Sequence, residues 1–143
     1  MRQSLRRKIR AWREPGVRFI ILHDQDNSDC FALKQELLRI CAESNRHDVL
    51  IRIVCRELES WYLGNLPAVE KAFQVDNLNK NYGNKRKFQT PDDIVNPSAE
   101  LRSIVPTYRK VSGSRAIGRV FEPDNVKSNS FKVFIAGLKK LVL

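Results

Sequence analysis

Carboxylates that follow an apolar run are the residues of this chain with the clearest chemistry. Residues 17–29 read VRFIILHDQDNSD, so Asp24 and Asp26 come directly after a bulky apolar segment. If strand conformation continued through both aspartates, their side chains would point to the same side. Two carboxylates about 4 Å apart repel by roughly 4 kcal/mol at an effective dielectric constant near 20. The pair therefore needs a cation, a shared proton or full solvation, and a divalent metal is the usual solution.

A helix start is the competing interpretation of the same segment. Asp, Asn and Ser cap helices, and helical spacing begins immediately after Asp29, so Asn27, Ser28 or Asp29 could simply be a cap. One cap needs only one residue, and Asp24 and Asp26 lie too early to serve. We therefore favour a ligand site over capping alone.

A second pair of acids, Glu57 and Glu59, follows the next apolar run. Residues 49–55 predict a strand, and residues 30–44 before them have apolar residues at helical spacing. Strand, helix and strand predict a βαβ unit, whose parallel strands have adjacent carboxyl ends. Glu57 and Glu59 would then stand near Asp24 and Asp26. Acids are equally favoured in the first turn of a helix, and one is predicted here, so both interpretations stay open.

The rest of the chain predicts helices joined by short polar connections. An amphipathic helix over 2–13 precedes the first strand, and helices are expected after Asn65, Thr90 and Asn96 and at the C-terminus. Residues 76–89 predict an exposed loop. The expected nucleic-acid contacts are Lys85, Arg86 and Lys87 in that loop, with Lys110 and Arg115 around a second loop, Ser112-Gly113-Ser114. This second loop could receive a phosphate but lacks the Walker pattern.

These elements predict an α/β fold in one structural domain, with a parallel βαβ core over 1–64 and a helical extension over 65–143 packed on it. A strand that is apolar on both faces belongs inside a sheet, yet the sequence supplies only two strands. We therefore expect either a missing N-terminal segment or a partner that covers the edge. On this basis the chain should be a homo-oligomer or poorly soluble alone.

Composition narrows the class of protein. The formal net charge is +10; residues 1–18 carry seven basic side chains against Glu14 alone, whereas residues 19–60 hold eight acids against five bases. A basic surface is more often only solvated and solubilising, so this distribution adds modest support for nucleic acid as the partner. Three widely spaced cysteines make a disulfide framework or a structural zinc site unlikely and predict a cytoplasmic protein. No apolar run reaches membrane-spanning length, so no membrane association is expected.

Four segments resemble a known family. They are HDQDNSDC at 23–30, CRELESWYLGN at 55–65, AVEKAF at 68–73 and NSFKVFIAGLKKL at 129–141. Together they resemble DUF4276, a Toprim-like family of unknown function that is similar to RloB-like proteins and OLD-family nucleases. The resemblance implies Asp24 and Asp26 as metal ligands, Glu57 as a further acid, and Mg²⁺ or Mn²⁺ as the ion. Glu59 is added to the expected metal ligands because the strand ends are adjacent.

The resemblance also includes a departure from the Toprim pattern. Toprim domains begin with a strand that ends in a glutamate assigned as general acid or base. This chain starts instead at the helix before the Asp-x-Asp strand. The core is therefore expected to be N-terminally incomplete. One implied function is a magnesium-dependent nuclease-related domain of phage defence, with Asp24, Asp26 and Glu57 catalytic. The alternative is a non-catalytic module that binds nucleic acid or a partner ATPase. A dehalogenase-like phosphatase with Asp24 as nucleophile is disfavoured, because the resemblance places these acids on a later strand.

Overall fold

The computed structural model describes residues 2–142 and groups the chain into two compact units. The first unit runs up to Val54 and takes in the residues from Phe134 onward, and the second is Cys55–Val133. Each unit has its own hydrophobic cluster. The expected division at residue 64, within a single domain, stays a prediction.

The first unit contains the βαβ motif. Its elements are helix α1 (Arg2–Ala11), strand β1 (Phe19–Asp24), helix α2 (Cys30–Ala42) and strand β2 (Val49–Val54). The two strands are parallel, with Phe19 opposite Val49 and Asp24 opposite Val54. The predicted α/β class and the parallel strand pair are therefore confirmed.

The core of the first unit lies on one side of this sheet. Ile9 of α1, Leu37 and Cys41 of α2, and Ile51 of β2 are buried together. On the other face of β1, Ile20 and Leu22 keep 44% and 40% of their surface exposed. The first strand is thus covered on one face only, in contrast to the expectation of two covered faces. The predicted oligomer, which would cover the open edge of the sheet, stays a prediction.

The second unit is helical. It contains α3 (Glu59–Leu63), α4 (Leu66–Phe73), α5 (Leu78–Tyr82), α6 (Arg86–Gln89), α7 (Pro97–Ile104) and α8 (Lys110–Gly118), with 3₁₀ turns at Pro91–Asp93 and Pro123–Asn125. Helix α9 (Asn129–Val142) begins in this unit and ends in the first. The core of the second unit is built around the fully buried side chains of Phe88, Leu101, Tyr108 and Ile117.

Two expected loops are helical. Residues 76–89 form α5 and α6, because Leu78 and Phe88 are buried and anchor these short helices to the core of the second unit. The loop expected at Ser112-Gly113-Ser114 lies inside α8, where Gly113 is buried. The predicted starts of α4 and α7 are confirmed, since Asn65 and Asn96 accept the backbone N–H groups of Ala68 and Ala99.

The three cysteines are reduced, with Cys41 buried and Cys30 and Cys55 half-buried. Burial raises the pKa of the Cys41 thiol, which suits a packing residue. Between residues 2 and 142, no helix combines the length and the apolar character that crossing a membrane requires.

Candidate functional site

The first two candidate ligands lie where β1 ends. Asp24 is the last residue of the strand and is half-buried, whereas Asp26 is exposed in the following turn with φ of 51°. The turn is held by two backbone hydrogen bonds, from Gln25 N to Val54 O at 2.9 Å and from Ser28 N to Gln25 O at 3.0 Å. Strand conformation therefore stops before Asp26, and the alternation that would align the two carboxylates does not extend through them.

Capping of α2 is carried out by a single residue. Asp29 Oδ1 accepts the backbone N–H of Ala32 at 2.7 Å, which satisfies one of the donors left unpaired at a helix start. The cap thus requires neither Asp24 nor Asp26. The acidic segment was predicted either to bind a ligand or to cap the helix, and the capping role is filled by Asp29.

Glu57 also acts at a helix start, although the helix is distant in sequence. Its Oε2 accepts the backbone N–H of Ser98 at 2.9 Å, in the first turn of α7. Its Oε1 lies 3.3 Å from Lys110 Nζ. A carboxylate at a helix N-terminus gains from the helix dipole and pairs with an otherwise unpaired donor. Glu57 therefore has structural partners on both oxygens.

Glu59 is buried, with 3% of its surface exposed. Its Oε1 accepts a hydrogen bond from the Tyr108 hydroxyl at 2.9 Å and lies 3.9 Å from Lys110 Nζ. Tyr108 is itself fully buried, and its hydroxyl is 3.3 Å from Ser114 Oγ. Because a buried charge is costly unless it is paired, Tyr108 and Lys110 are what allow an acid at position 59.

The electrostatics of this cluster follow from the same contacts. Burial acts to raise the pKa of Glu57, but the hydrogen bonds from Ser98 and the ammonium of Lys110 outweigh it, and the net pKa is lowered. Burial also raises the pKa of Tyr108; the bond with Ser114 opposes this effect, and the negative charge of Glu59 adds to it. Glu57 is thus kept ionised and Tyr108 neutral.

A metal ion at these acidic side chains would need carboxylate oxygens that are open to it. Mg²⁺ binds carboxylate oxygens and waters in octahedral geometry. Lys110 already places a positive charge beside both Glu57 and Glu59, so a divalent ion at these oxygens would have to displace it. Within residues 2–142, no three His, Cys, Asp or Glu side chains are grouped so that they could hold a metal. The assignment of Asp24, Asp26, Glu57 and Glu59 as ligands stays a prediction.

The residues predicted to contact nucleic acid all lie in the second unit. Lys85, Arg86 and Lys87 are exposed at the start of α6, and Arg115 is exposed on α8. Lys85 Nζ stands 4.5 Å from the centre of the Tyr82 ring, and Lys87 pairs with Glu100 at 2.5 Å. Lys110 is the most constrained of the five, because it is held between the two glutamates.

Sequence reasoning missed a basic cleft in the first unit. This cleft, called the arginine cleft below, has a volume of about 390 Å³. It is lined by the end of α1 and by the loops that precede β1 and β2, and it includes Arg10, Arg13, Arg18 and Arg46. It therefore lies at the amino-terminal edge of the sheet, opposite the end where Asp24 is found. The sequence RAWREPGVR at 10–18 could have indicated this cleft, because a Trp lies among arginines before a Pro-Gly turn.

Comparison with known proteins gives one family. The model of the family described as "Domain of unknown function (DUF4276)" matches residues 1–139. No curated protein and no solved structure matches the chain.

Proposed function

The chain belongs to the DUF4276 family of unknown function, and we propose that it is a non-catalytic nucleic-acid-binding domain in which Glu57 and Glu59 stabilise the fold. The contacts of Lys110 carry this proposal. Its ammonium lies 3.3 Å from Glu57 and 3.9 Å from Glu59, so these acids are already balanced by the protein itself. An acid that is bound to a helix start and a lysine stabilises the fold and is poorly placed to exchange protons or bind metal.

The charge of the molecule supports nucleic acid as the ligand. The net charge is +10, and Arg86 and Arg115 are exposed, as are Lys85 and Lys87. Contacts between cationic side chains and phosphates supply most sequence-independent affinity, because each contact releases counterions. Binding of this kind requires exposed cations, and the second unit supplies them on two helices, α6 and α8.

The test is binding of labelled DNA and RNA oligonucleotides over a range of salt concentrations. The chain is expected to bind both, with an affinity that falls steeply as salt rises. Replacing Lys85 and Arg86 together by Gln should lower the salt slope by about 1.4 to 1.8, at 0.7 to 0.9 for each lost phosphate contact. Fluorescence anisotropy would measure both quantities.

The matched control removes two positive charges elsewhere, with Lys34→Gln and Arg39→Gln on the exposed surface of α2. The control should leave the salt slope close to that of the wild type. A chain that binds no oligonucleotide even at low salt would contradict the proposal. So would equal losses in the two double variants, since the effect would then be one of overall charge.

A metal-dependent nuclease of the Toprim-like class is the second candidate, in the phage-defence setting and with the partner ATPase that the family resemblance implies. It is favoured by one observation, the position of Asp24 at the carboxyl end of a parallel strand in a βαβ unit. Asp24 and Asp26 would hold Mg²⁺ or Mn²⁺, which polarises a phosphate. The same oligonucleotides incubated with Mn²⁺ separate the two functions. Cleavage by the wild type that Asp24→Asn abolishes would establish the nuclease and overturn the non-catalytic assignment.

A further inference from the structure

The arginine cleft is built on contacts that hold its walls together. Arg46 Nη2 donates to the carbonyl of Trp12 at 2.5 Å, and its guanidinium carbon lies 5.1 Å from the centre of the Phe19 ring. Arg46 itself follows Asn45, whose φ of 55° turns the chain so that Arg46 N donates to Cys41 O at 3.0 Å. The loop after α1 is thereby fixed against the loop after α2.

Within residues 2–142, the positive charge of this cleft is not neutralised by ion pairs. On helix α1, Arg2 pairs with Glu36 at 2.6 Å and Arg6 pairs with Glu43 at 2.7 Å. Arg10, Arg13 and Arg46 instead donate to backbone carbonyls, and Arg18 is exposed. Among the described residues, none of these four arginines pairs with a carboxylate. Glu14 and Asp48 are the acids in the lining, so four positive charges face two negative ones.

Trp12 adds an aromatic surface to the same cleft. It lines the cleft and keeps 55% of its surface exposed, which is unusual for so large an apolar side chain. A basic helix with an exposed Trp can also lie on a membrane. Here, however, the apolar side of α1 is used by the protein, because Ile9 is buried and Leu5 packs in the same cluster. The helix thus has no apolar face left for lipid.

We propose that the arginine cleft binds single-stranded nucleic acid, with a base stacked on Trp12 and the adjoining phosphates held by Arg13 and Arg18. This inference rests on the proposed nucleic-acid binding and gives it a second, separate site. Stacking on an exposed aromatic ring requires a base whose face is open, which a duplex does not offer. The guanidinium groups supply the paired donors that phosphate oxygens accept.

A neighbouring cleft in the same unit extends this surface beyond one nucleotide. It has a volume of about 530 Å³, shares Arg18 and Asp48 with the arginine cleft, and is also lined by His47, Arg52 and Lys140. Arg18 therefore stands where the two clefts meet. A ligand with several phosphates in a row can contact both, whereas a mononucleotide contacts one. This favours a strand of nucleic acid over a free nucleotide as the ligand.

The two tryptophans make the site directly measurable. Trp12 is exposed, whereas Trp61 is 5% exposed and donates its indole N–H to Ser130. A short single-stranded oligo(dT) should quench the fluorescence of the wild-type chain. Trp12→Phe should abolish the quenching, since only the buried Trp61 would then emit. Trp12→Ala should weaken binding roughly 5- to 150-fold, the range found for loss of one stacked base.

Phosphate contacts are tested by the double variant Arg13→Gln and Arg18→Gln. Its salt slope should fall by about 1.4, at 0.7 for each contact to a single strand. The control is Lys34→Gln with Arg39→Gln, which removes the same charge outside the cleft. A duplex of the same sequence should quench Trp12 less than the single strand. All variants would first be compared in thermal unfolding, so that only folded proteins are assayed.

The outcomes separate this inference from the proposed function. If the wild type binds oligonucleotides but Trp12→Ala and the arginine pair bind as tightly as the wild type, the cleft assignment is overturned and the proposed function stands. If the wild type binds no oligonucleotide, both fall. Quenching of Trp12 by anionic lipid vesicles but not by oligo(dT) would identify a membrane surface instead and overturn the inference.

Discussion

Glu57 shows how one residue type can suit two roles that local sequence does not separate. An acid after a strand can bind metal or begin a helix, and CRELES is compatible with both. In the structure its carboxylate serves a helix start, but that of α7, through Ser98 N. The partner lies far along the chain, so no pattern around position 57 could predict it. By contrast, Asp29 was one of the predicted caps of α2, because the N–H group that it accepts belongs to Ala32, only three residues further along the chain.

Glu57→Gln tests this structural role. The pKa of Glu57 is lowered from its ordinary value of 4.5, so its contribution to stability is complete above that pH and is lost as the pH falls below it. The variant should lower the free energy of unfolding by about 1.5 kcal/mol at neutral pH, the usual worth of a charged hydrogen bond. The difference from the wild type should shrink below pH 4.5. Urea unfolding at several pH values would measure it.

The control for this variant is Glu14→Gln, which alters an exposed carboxylate in the first unit. Its effect on the unfolding free energy should stay within about 0.5 kcal/mol. A difference between Glu57→Gln and the wild type that does not change as the pH falls below 4.5 would argue against a role for the ionised carboxylate.

At the scale of elements, the reliable signals were those that act over one or two turns. Apolar runs placed β1 and β2, helical spacing of apolar residues placed α2, and Asn caps followed by proline placed α4 and α7. Residues 76–89 were misjudged because their polar composition hides two anchors, Leu78 and Phe88, that are buried by contacts from other helices. Such short helices owe their formation to tertiary packing more than to helix propensity.

The two glycines of α8 differ in what surrounds them. A Cβ at Gly113 would lie 2.5 and 2.6 Å from ring carbons of Tyr108, which is fully buried and cannot move aside. At Gly118 a Cβ would meet nothing within 4 Å. Gly-to-Ala in a helix is worth up to about 1 kcal/mol of stability when nothing obstructs it, whereas overpacking costs typically about 1–3 kcal/mol.

We therefore expect that Gly-to-Ala substitutions at the two positions of α8 affect the free energy of unfolding differently. Gly113→Ala should lower the free energy of unfolding by about 1–2 kcal/mol, because the steric cost exceeds the helix gain. Gly118→Ala should be neutral or stabilising, and serves as the matched control. Thermal and urea unfolding of both variants would measure the effect. Stabilisation by Gly113→Ala would contradict the close packing of α8 on Tyr108.

For the whole molecule, the net charge follows from the composition, whereas the positions of the charged side chains depend on the fold. The net charge of +10 indicated a polyanionic partner, and the basic clusters at 85–87 and on α8 were found from sequence. The arginine cleft was not found, because its residues come from the end of α1 and from two loops that meet only when the parallel strands pair. Glu57 and Glu59 could be selected from the sequence as candidate site residues, but not their partners Tyr108, Lys110 and Ser98, which come from α7, α8 and the turn between them.

The two units also differ in how much core they hold, and this leads to a prediction for fragments. The cluster of the second unit contains twelve buried residues within Cys55–Val133, all contributed by one continuous segment. The cluster of the first unit contains four buried residues. This unit also depends on residues 134–142, since a Cβ at Gly137 would lie 3.0 Å from Leu50 Cδ1 on β2. A sheet of two strands is marginal without further packing.

A fragment of residues 55–133 should therefore fold alone, whereas a fragment of residues 1–54 should not. Circular dichroism of the first is expected to show helix that is lost in one cooperative thermal transition, because its apolar core is complete within the segment. The second should show no such transition, because it lacks the C-terminal helix that lies on β2. Extending the second fragment by a linker to residues 134–143 tests the cause and should restore cooperative unfolding. Loss of structure in 55–133 would mean that its core requires the other unit.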